Sequence, residues 1–110
     1  MTDHETDLTL HASELDGVTV VTATGEVDSS NCASLQEVLA SLGGAGSGRD
    51  VHVDLAGVSF MDSSGLRALI VGQRLISEAG GSFRVMAVSD SLRRLLDITG
   101  LADPFGLTAP

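Results

Sequence analysis

The hydrophobic pattern of this chain changes its period several times, and this constrains the fold more than any other feature. Val51, Val53 and Leu55 alternate with polar residues, as in a strand with one buried face. Elsewhere apolar residues recur at helical spacing and form one stripe: Leu35, Val38, Leu39 and Leu42. Strands that alternate with helices are typical of a sheet with parallel pairs, covered by helices.

The first part of the chain predicts two strands before any helix. Residues 8–12 alternate in polarity, and residues 18–24 are rich in β-branched side chains, which favour strands. Asp16-Gly17 between them predicts a hairpin turn, so the sheet is expected to be mixed. Residues 25–28 are predicted to break the second strand. Three residues are candidates for the cap of the following helix: Ser29, Ser30 and Asn31.

The second half predicts a helix, a strand and a third helix. The second helix is expected to begin near Ser63 and to end near Ala79, before Gly80-Gly81. Its predicted buried residues are Leu66, Leu69, Ile70 and Ile76. A further strand is marked by Phe83, Val85 and Ala87. The third helix, capped by Ser89 or Asp90, bears Leu92, Leu95 and Leu96. Residues 43–48 are expected to form a flexible loop, and residues 100–110 are ambiguous between a short strand and a short helix.

The length of 110 residues and the 43% hydrophobic content fit one domain with a core. We expect a flexible N-terminus at residues 1–7 and one α/β domain at residues 8–110. Its order of elements is strand, strand, helix, strand, helix, strand, helix. The mixed sheet is expected to have four to five strands, with helices packed on it.

The charge distribution argues against a nucleic-acid partner. The net charge is −9, and all six basic residues are arginines. Residues 1–54 hold ten acidic residues and one arginine, whereas the rest of the chain is balanced. Binding to a phosphate backbone needs clustered positive charge, so direct nucleic-acid binding is not expected. The acidic surface fits a basic protein partner, although solubility alone also explains it.

The expected location is the cytoplasm. Cys32 is the only cysteine and cannot form an internal disulfide, which fits a reducing compartment. The acidic first residues do not resemble a signal peptide, and no apolar run approaches the length of a membrane span. One cysteine and scattered histidines do not predict a zinc site.

The segment at residues 58–66 places a carboxylate and two hydroxyls where an apolar strand gives way to a helix. Asp62, Ser63 and Ser64 favour a helix start, because their oxygens accept hydrogen bonds from free amides of the first turn. That helix end also tolerates an anion, such as a phosphate on a serine. These residues therefore predict either a simple cap or a site of reversible modification.

Three blocks of the sequence resemble the STAS family, specifically the bacterial anti-sigma factor antagonists. The first block is residues 24–28, Thr-Gly-Glu-Val-Asp. The second is Val-Asp-Leu at 53–55, leading into Ser-Phe-Met-Asp-Ser-Ser-Gly-Leu at 59–66. The weaker third block is residues 92–101. The resemblance spans residues 8 to about 103 and implies a single STAS domain.

This resemblance implies a partner-switching cycle. The unphosphorylated antagonist binds an anti-sigma factor, which releases the sigma factor. The anti-sigma factor is itself a GHKL-type serine kinase and phosphorylates the serine directly after the aspartate of the motif, here Ser63. A metal-dependent serine phosphatase resets the cycle. ATP and magnesium belong to the kinase partner, and no cofactor is expected for this chain.

The same resemblance suggests which residues bind the partner. Glu26 and Asp28 are expected to lie beside the phosphorylation site and to help form the docking surface. Asp62 shapes the helix start, while Ser64 and Gly65 let the backbone turn and leave room for the partner. From the residues alone, the two acids of the first block are more often ordinary turn residues.

Two other functions remain as alternatives. One is a non-phosphorylated STAS subunit of a membrane lipid transporter. The other is a serine hydrolase, since Ser63, His52 and Asp54 have the required chemistry. However, the sequence lacks a Gly-x-Ser-x-Gly elbow, and His52 and Asp54 lie two apart on one predicted strand. The glycine-rich loop is not a Walker motif, because the chain contains no lysine.

Overall fold

A computed structural model describes residues 8–44 and 48–107. Its elements, in chain order, are β1 (Thr9–Leu15), β2 (Val18–Val27), α1 (Cys32–Leu42), β3 (Asp50–Met61), α2 (Ser63–Glu78), β4 (Ser82–Val88) and α3 (Asp90–Thr99). The predicted order of strands and helices is confirmed. The predictions for residues 1–7, for the middle of the glycine-rich loop at 45–47 and for the last three residues lie outside the described residues.

The four strands form one mixed sheet in the order β1-β2-β3-β4. The hairpin of β1 and β2 is antiparallel, whereas β2 pairs with β3 and β3 pairs with β4 in parallel. Asp16 and Gly17 form the predicted turn with φ angles of 54° and 82°, the left-handed conformations that short hairpin turns require. Each parallel connection passes through a helix, as parallel pairing demands.

One face of the sheet carries the core. Val21, Val53 and Val85 are register partners across β2, β3 and β4, and all three are buried. In the adjacent register position, Val20 and His52 are half-buried and Arg84 is exposed. The buried residues of the three helices join the same core cluster. The domain therefore has two layers, with the helices over one face of the sheet.

Strand β3 is longer than its alternating pattern predicts. Its buried residues follow a spacing of two and then of three: Val51, Val53, Leu55, Val58 and Met61. The spacing changes because pairing with β2 shifts register twice, between Thr22 and Thr24 and again between Gly25 and Glu26. Each shift adds one residue to β3, as in a β-bulge.

The prediction that residues 25–28 break the second strand is wrong. Strand β2 continues to Val27, and only Asp28 lies beyond it. Gly25 has a φ angle of 116°, which a glycine adopts without strain. Because the bulge in β3 lies opposite this glycine, pairing resumes at Glu26 and continues to the end of the strand.

The two helices α1 and α2 pack closely. A Cβ atom added to Gly72 would lie 2.5 Å from Cδ1 of Leu39, so the helices contact one another where this side chain is missing. The buried stripe of α2 includes Leu66, Leu69 and Ile76 as predicted. Ile70 was also predicted to be buried, but it is exposed. It lies at the edge of the stripe, because the stripe is centred on Leu69, Gly72 and Ile76.

Residues after α3 close the free edge of β4 without forming a helix or a strand within 100–107. The amide of Val85 donates to the carbonyl of Phe105 over 2.8 Å. The ring of Phe105 is fully buried and lies 5.7 Å from that of Phe83, measured between centroids. The Gln73 side chain donates to the carbonyl of Pro104. This segment therefore covers an edge that would otherwise be open to pairing.

Candidate functional site

The residues expected to form the site meet at the carboxyl ends of β2 and β3. Glu26 pairs with Phe60 and Val27 pairs with Met61, so the two parallel strands end side by side. The amide of Asp62 donates to the carbonyl of Val27 over 3.2 Å, which joins the two strand ends directly. We call residues 28–31, between β2 and α1, the first junction. Residues 62–65, which are the N-cap and the first residues of α2 directly after β3, are the second junction.

At the second junction, Asp62 is the N-cap of α2. One oxygen of its carboxylate accepts from the amides of Ser64 and Gly65, over 2.9 and 3.3 Å. Its carbonyl accepts from the amide of Leu66, which begins the helical hydrogen bonds. The carboxylate thus satisfies two of the amides that every helix start leaves free. Because Asp62 performs this role, neither serine is needed as the cap.

Ser63 is the first residue of α2, and its side chain is exposed. Its hydroxyl makes no hydrogen bond to any residue within 8–44 or 48–107. Ser64 is half-buried. An exposed hydroxyl at the positive end of a helix of 16 residues is accessible to another protein and suited to carry a negative group.

Gly65 is buried, and the close packing around it requires a glycine. An added Cβ atom would lie 2.5 Å from Cγ of Met61 and 2.9 Å from Cγ1 of Val27. The first turn of α2 therefore packs directly on the last residues of β2 and β3. The sequence suggested that this glycine serves a tight backbone turn. In the structure Gly65 is an ordinary helical residue, and its missing side chain leaves room for Met61 and Val27.

At the first junction, Asp28 binds its own turn instead of a helix end. One carboxylate oxygen accepts from the hydroxyl and the amide of Ser30, over 2.6 and 2.9 Å. These two hydrogen bonds, the hydroxyl first, stabilise the ionised carboxylate and lower the pKa of Asp28 below its ordinary value. Desolvation opposes them, and the backbone of Asn31 lowers this pKa further to a smaller extent. Separately, the main-chain amide of Asp28 donates to the side chain of Asn31 over 2.9 Å.

Asn31 holds the first junction in place. It is only 5% exposed, and its side chain donates to the carbonyl of Glu26 and accepts from the amide of Asp28, both over 2.9 Å. Asn31 directly precedes α1 and is one of the three residues that the sequence offered as its cap. However, its side chain makes no hydrogen bond to the helix. Asn31 is thus the N-cap residue of α1, as one of the three predicted candidates, but its side chain binds the end of β2 instead of the helix.

Glu26 and Phe60 form an exposed pair beside the junctions. Side chains of register partners in a sheet lie on the same face, and this pair lies on the face away from the core. Phe60 is 49% exposed, an unusual position for one of only three phenylalanines in the chain. Exposed aromatic rings are enriched at protein-binding surfaces.

The structure thus brings together all six predicted site residues: Glu26, Asp28, Asp62, Ser63, Ser64 and Gly65. It adds Phe60 and Asn31, which the sequence reasoning did not assign to the site. Exposure of an aromatic residue is not visible in a sequence. The structural importance of Asn31 could have been suspected, because Asp-Ser-Ser occurs twice and the following residue is Asn in one copy and Gly in the other.

The hydrolase alternative is not supported by the geometry. His52 and Asp54 lie in the first half of β3, whereas Ser63 follows its end. A strand rises about 3.3 Å per residue, which separates His52 from Met61 by on the order of 30 Å. The carboxylate of Asp54 accepts from the amide of Ala56 next to the first bulge. Within the described part of the chain, no three His, Cys, Asp or Glu side chains cluster as metal ligands would.

Comparison with known proteins identifies the family. The sequence model of the family described as "Mlab, STAS domain" matches residues 10–108. The anti-sigma-B factor antagonist of Staphylococcus epidermidis is 39% identical over 79 residues, which cover 72% of each chain. The protein of the same name from Bacillus subtilis is 37% identical over 89 residues, covering 81% of this chain and 80% of the relative.

Solved structures show the same fold. An anti-sigma factor antagonist from Mycobacterium paratuberculosis superimposes with a TM-score of 0.79 at 26% identity, covering 96% of this chain and 87% of the other. The Bacillus cell-fate determinant SpoIIAA, in its phosphorylated form, superimposes with a TM-score of 0.69 at 19% identity. That comparison covers 88% of this chain and 87% of SpoIIAA.

None of the helices within residues 8–44 and 48–107 is long and apolar enough to cross a membrane. The sequence match spans almost the whole sheet and all three helices, and the structural match has the same extent. The chain belongs to the STAS-domain family of anti-sigma factor antagonists.

Proposed function

We propose that this chain is an anti-sigma factor antagonist whose binding is switched by phosphorylation of Ser63. Without phosphate, it binds an anti-sigma factor that has GHKL-type serine kinase activity, and the sigma factor is released. The kinase, which binds the ATP and magnesium, then transfers phosphate to Ser63 and the complex separates. A metal-dependent serine phosphatase restores the binding form.

The observation that carries this proposal is the position of the Ser63 hydroxyl. It is exposed and has no hydrogen-bond partner among the described residues, so no internal bond must break before it reacts. The neighbouring cap is provided by Asp62, so modification of Ser63 leaves the start of α2 intact. The names of the curated relatives, and the phosphorylated form in which SpoIIAA was solved, agree with this role.

The switch acts on docking rather than on the fold. A phosphate adds a charge of roughly −1.5 to −2 and three acceptor oxygens. The helix dipole tolerates this charge in the free protein. In a close-packed complex the same group must lose its water, and a buried charge without a partner costs several kcal/mol. Since about 1.4 kcal/mol changes an affinity tenfold, one phosphate can end the complex.

The docking surface comprises the predicted residues around Ser63. Glu26 is exposed and Asp28 is half-buried, so both carboxylates can face a basic patch of the partner. The shape of the helix start is the contribution of Asp62, Ser64 and Gly65. The carboxylate of Asp62 already accepts from the amides of Ser64 and Gly65. We therefore expect charge changes at Glu26 to alter the association rate and its salt dependence.

Intact-mass measurement tests the proposal. The chain is incubated with candidate anti-sigma kinases, ATP and magnesium, and a gain of about 80 Da, one phosphoryl group, is expected. Ser63→Ala should abolish the gain. Ser29→Ala is the matched control, because Ser29 is the exposed serine that follows Asp28 in the other Asp-Ser-Ser copy. It should be phosphorylated as the wild type is.

Binding measurements complete the test. Ser63→Asp should bind the kinase at least about tenfold more weakly than Ser63→Ala. Equal affinities, or a gain of mass that persists in Ser63→Ala, would refute the switch.

The alternative function is that of a non-phosphorylated STAS subunit of a membrane lipid transporter. Affinity purification from cells distinguishes the two functions. A small GHKL-type kinase is expected as the partner, whereas a transporter ATPase together with an unchanged mass would support the alternative. An assay with generic esters tests the alternative of a serine hydrolase. We expect the wild type to hydrolyse them no faster than Ser63→Ala does.

A further inference from the structure

The end of β3 has a strand neighbour on only one side. Its pairing with β2 continues to Met61, but its pairing with β4 ends at Leu55 and Val88. Residues 58–61 therefore lack a strand on the β4 side. Within this segment, Ser59 is the extra residue of the second bulge, because Val58 pairs with Gly25 and Phe60 with Glu26. The extra residue of a bulge is left unpaired in the ladder.

Two serine hydroxyls at the start of α3 take the place of the missing strand. Ser89 donates to the carbonyl of Val58 over 2.7 Å, and Ser91 donates to the carbonyl of Ser59 over 3.2 Å. Ser89 also caps α3, since its oxygen accepts from the amide of Leu92 over 3.4 Å. From the other side, the Ser59 hydroxyl donates to the carbonyl of Gly25 over 3.4 Å.

The segment held in this way leads directly to the second junction. Ser63 lies four residues after Ser59, and the intervening residues have no other neighbour on the β4 side among the strands. We propose that Ser89 and Ser91 are positioning residues for Ser63. By fixing two consecutive carbonyls at the bulge, they set the direction in which β3 ends and hence the place of the reactive hydroxyl relative to Glu26. This inference rests on the proposed function at Ser63.

Ser91→Ala is the cleanest variant, because Ser91 is exposed and is not the cap of α3. We expect its kcat for phosphorylation by the anti-sigma kinase to fall about fivefold, as for one lost hydrogen bond, with KM little changed. Ser91→Thr keeps the hydroxyl and should restore the rate. Ser41→Ala is the control, because the Ser41 hydroxyl is exposed and donates only to the Val38 carbonyl of its own helix.

Ser89 needs a different substitution, because Ser89→Ala removes the cap of α3 as well. Ser89→Asp retains an oxygen that accepts from the amide of Leu92 but has no hydrogen to donate to Val58. We expect Ser89→Asp to lower kcat by about fivefold or more, while its urea midpoint falls less than that of Ser89→Ala, which loses the cap as well.

Amide hydrogen exchange of the free protein provides a readout that does not depend on the kinase. In Ser91→Ala and Ser89→Asp, the amides of Ser64 and Gly65 should exchange faster than in the wild type, while those of α1 keep their rates. The inference would be overturned if the amides of Ser64 and Gly65 exchanged at the wild-type rate in both variants. It would also be overturned if the wild type were phosphorylated and both variants had the same kcat as the wild type. If the wild type accepts no phosphate, the proposed function fails, and faster exchange would still show that the serines hold the segment.

Discussion

The tripeptide Asp-Ser-Ser follows both β2 and β3, and the helix after it begins at a different place in each copy. At the second junction, α2 begins at Ser63, immediately after Asp62. At the first junction, α1 begins only at Cys32, four residues after Asp28. Asp62 uses its carboxylate to cap the helix, whereas Asp28 uses the same group to bind Ser30. The first serine is therefore a helix residue in one copy and a turn residue in the other.

The residue after the tripeptide explains this difference. Gly65 has no side chain, so α2 can pack against Val27 and Met61 at once. Asn31 is buried but binds Glu26 and Asp28 through its amide, which stabilises a turn and delays the helix. Local sequence identity over three residues thus does not define a site. The fourth residue decides whether the hydroxyl is presented on a helix end, where a phosphate is tolerated.

Replacing Gly65, the fourth residue of the second junction, by the Asn of the first should cause the largest loss of unfolding free energy. In Gly65→Asn, the new Cβ would lie 2.5 Å from Cγ of Met61, and the amide would need further space. Overpacking of this kind costs about 3 kcal/mol of unfolding free energy. Urea unfolding measures the loss. Gly44→Asn is the control, because Gly44 is exposed and a Cβ there meets only the carbonyl of Ser41, at 3.7 Å. A Gly65→Asn protein as stable as this control would contradict the explanation.

The reverse exchange at the first junction should cost less. Asn31→Gly removes the partners of the Asp28 amide and the Glu26 carbonyl, both next to a buried position. Unsatisfied groups of this kind reduce the unfolding free energy by about 2 kcal/mol. Asn31→Asp retains the acceptor for the Asp28 amide but places a buried carboxylate against the carbonyl of Glu26, so its loss should be at least as large. If Asn31→Gly unfolds at the urea concentration of the wild type, the side chain does not hold the turn.

These two contrasts also mark what the sequence could reveal. The periodicity of Leu35 and Leu39, and of Val51 and Val53, predicted the element types and the mixed sheet, because local patterns report which face is buried. The end of β3 was less predictable, since bulges change the spacing from two to three at Val58. Burial of Phe105 against β4 was not predictable, because it depends on residues far apart in the chain.

The candidate site shows the same division. The Asp-Ser-Ser-Gly motif at residues 62–65 pointed to the second junction, because its chemistry is local. The hydrogen bonds of Asn31, Ser89 and Ser91 to backbone carbonyls are tertiary contacts, and no spacing in the sequence reports them. Ile70 was assigned to the core on spacing alone, yet the packing of α2 leaves it exposed.

The two aspartates, Asp62 and Asp28, provide a third contrast, with a smaller expected loss of unfolding free energy than the exchanges of Gly65 and Asn31. Asp62→Ala leaves the amides of Ser64 and Gly65 without an acceptor and should cost about 1 kcal/mol, the usual value of an N-cap. Asp62→Asn keeps an oxygen in place and should cost much less, because Asn caps helices nearly as well. At the first junction, Asp28→Ala should destabilise less than Asp62→Ala, since no helix start depends on Asp28. Equal losses in urea unfolding would mean that the two aspartates are equivalent.

The smallest effect concerns the titration of Asp28. Hydrogen bonds from Ser30 lower its pKa in the folded protein, relative to a usual value of about 3.9. Its ionised form therefore adds stability above about pH 4, and this contribution is lost as the pH falls through the lowered pKa. Ser30→Ala removes the hydrogen bond from the Ser30 hydroxyl to Asp28, so the pKa of Asp28 should rise towards the usual value. The stability that is lost on acidification should then be smaller than in the wild type.

Carboxyl NMR titration of Asp28 measures this change. Ser29→Ala is the matched control, because the Ser29 side chain makes no hydrogen bond to Asp28 and should leave the pKa where it is in the wild type. A pKa that is equally low in Ser30→Ala would show that the turn stabilises the carboxylate through backbone amides and not through the Ser30 hydroxyl. The two aspartates would then be alike in relying on the main-chain amide two residues later, and the copies would differ through their fourth residues, Asn31 and Gly65.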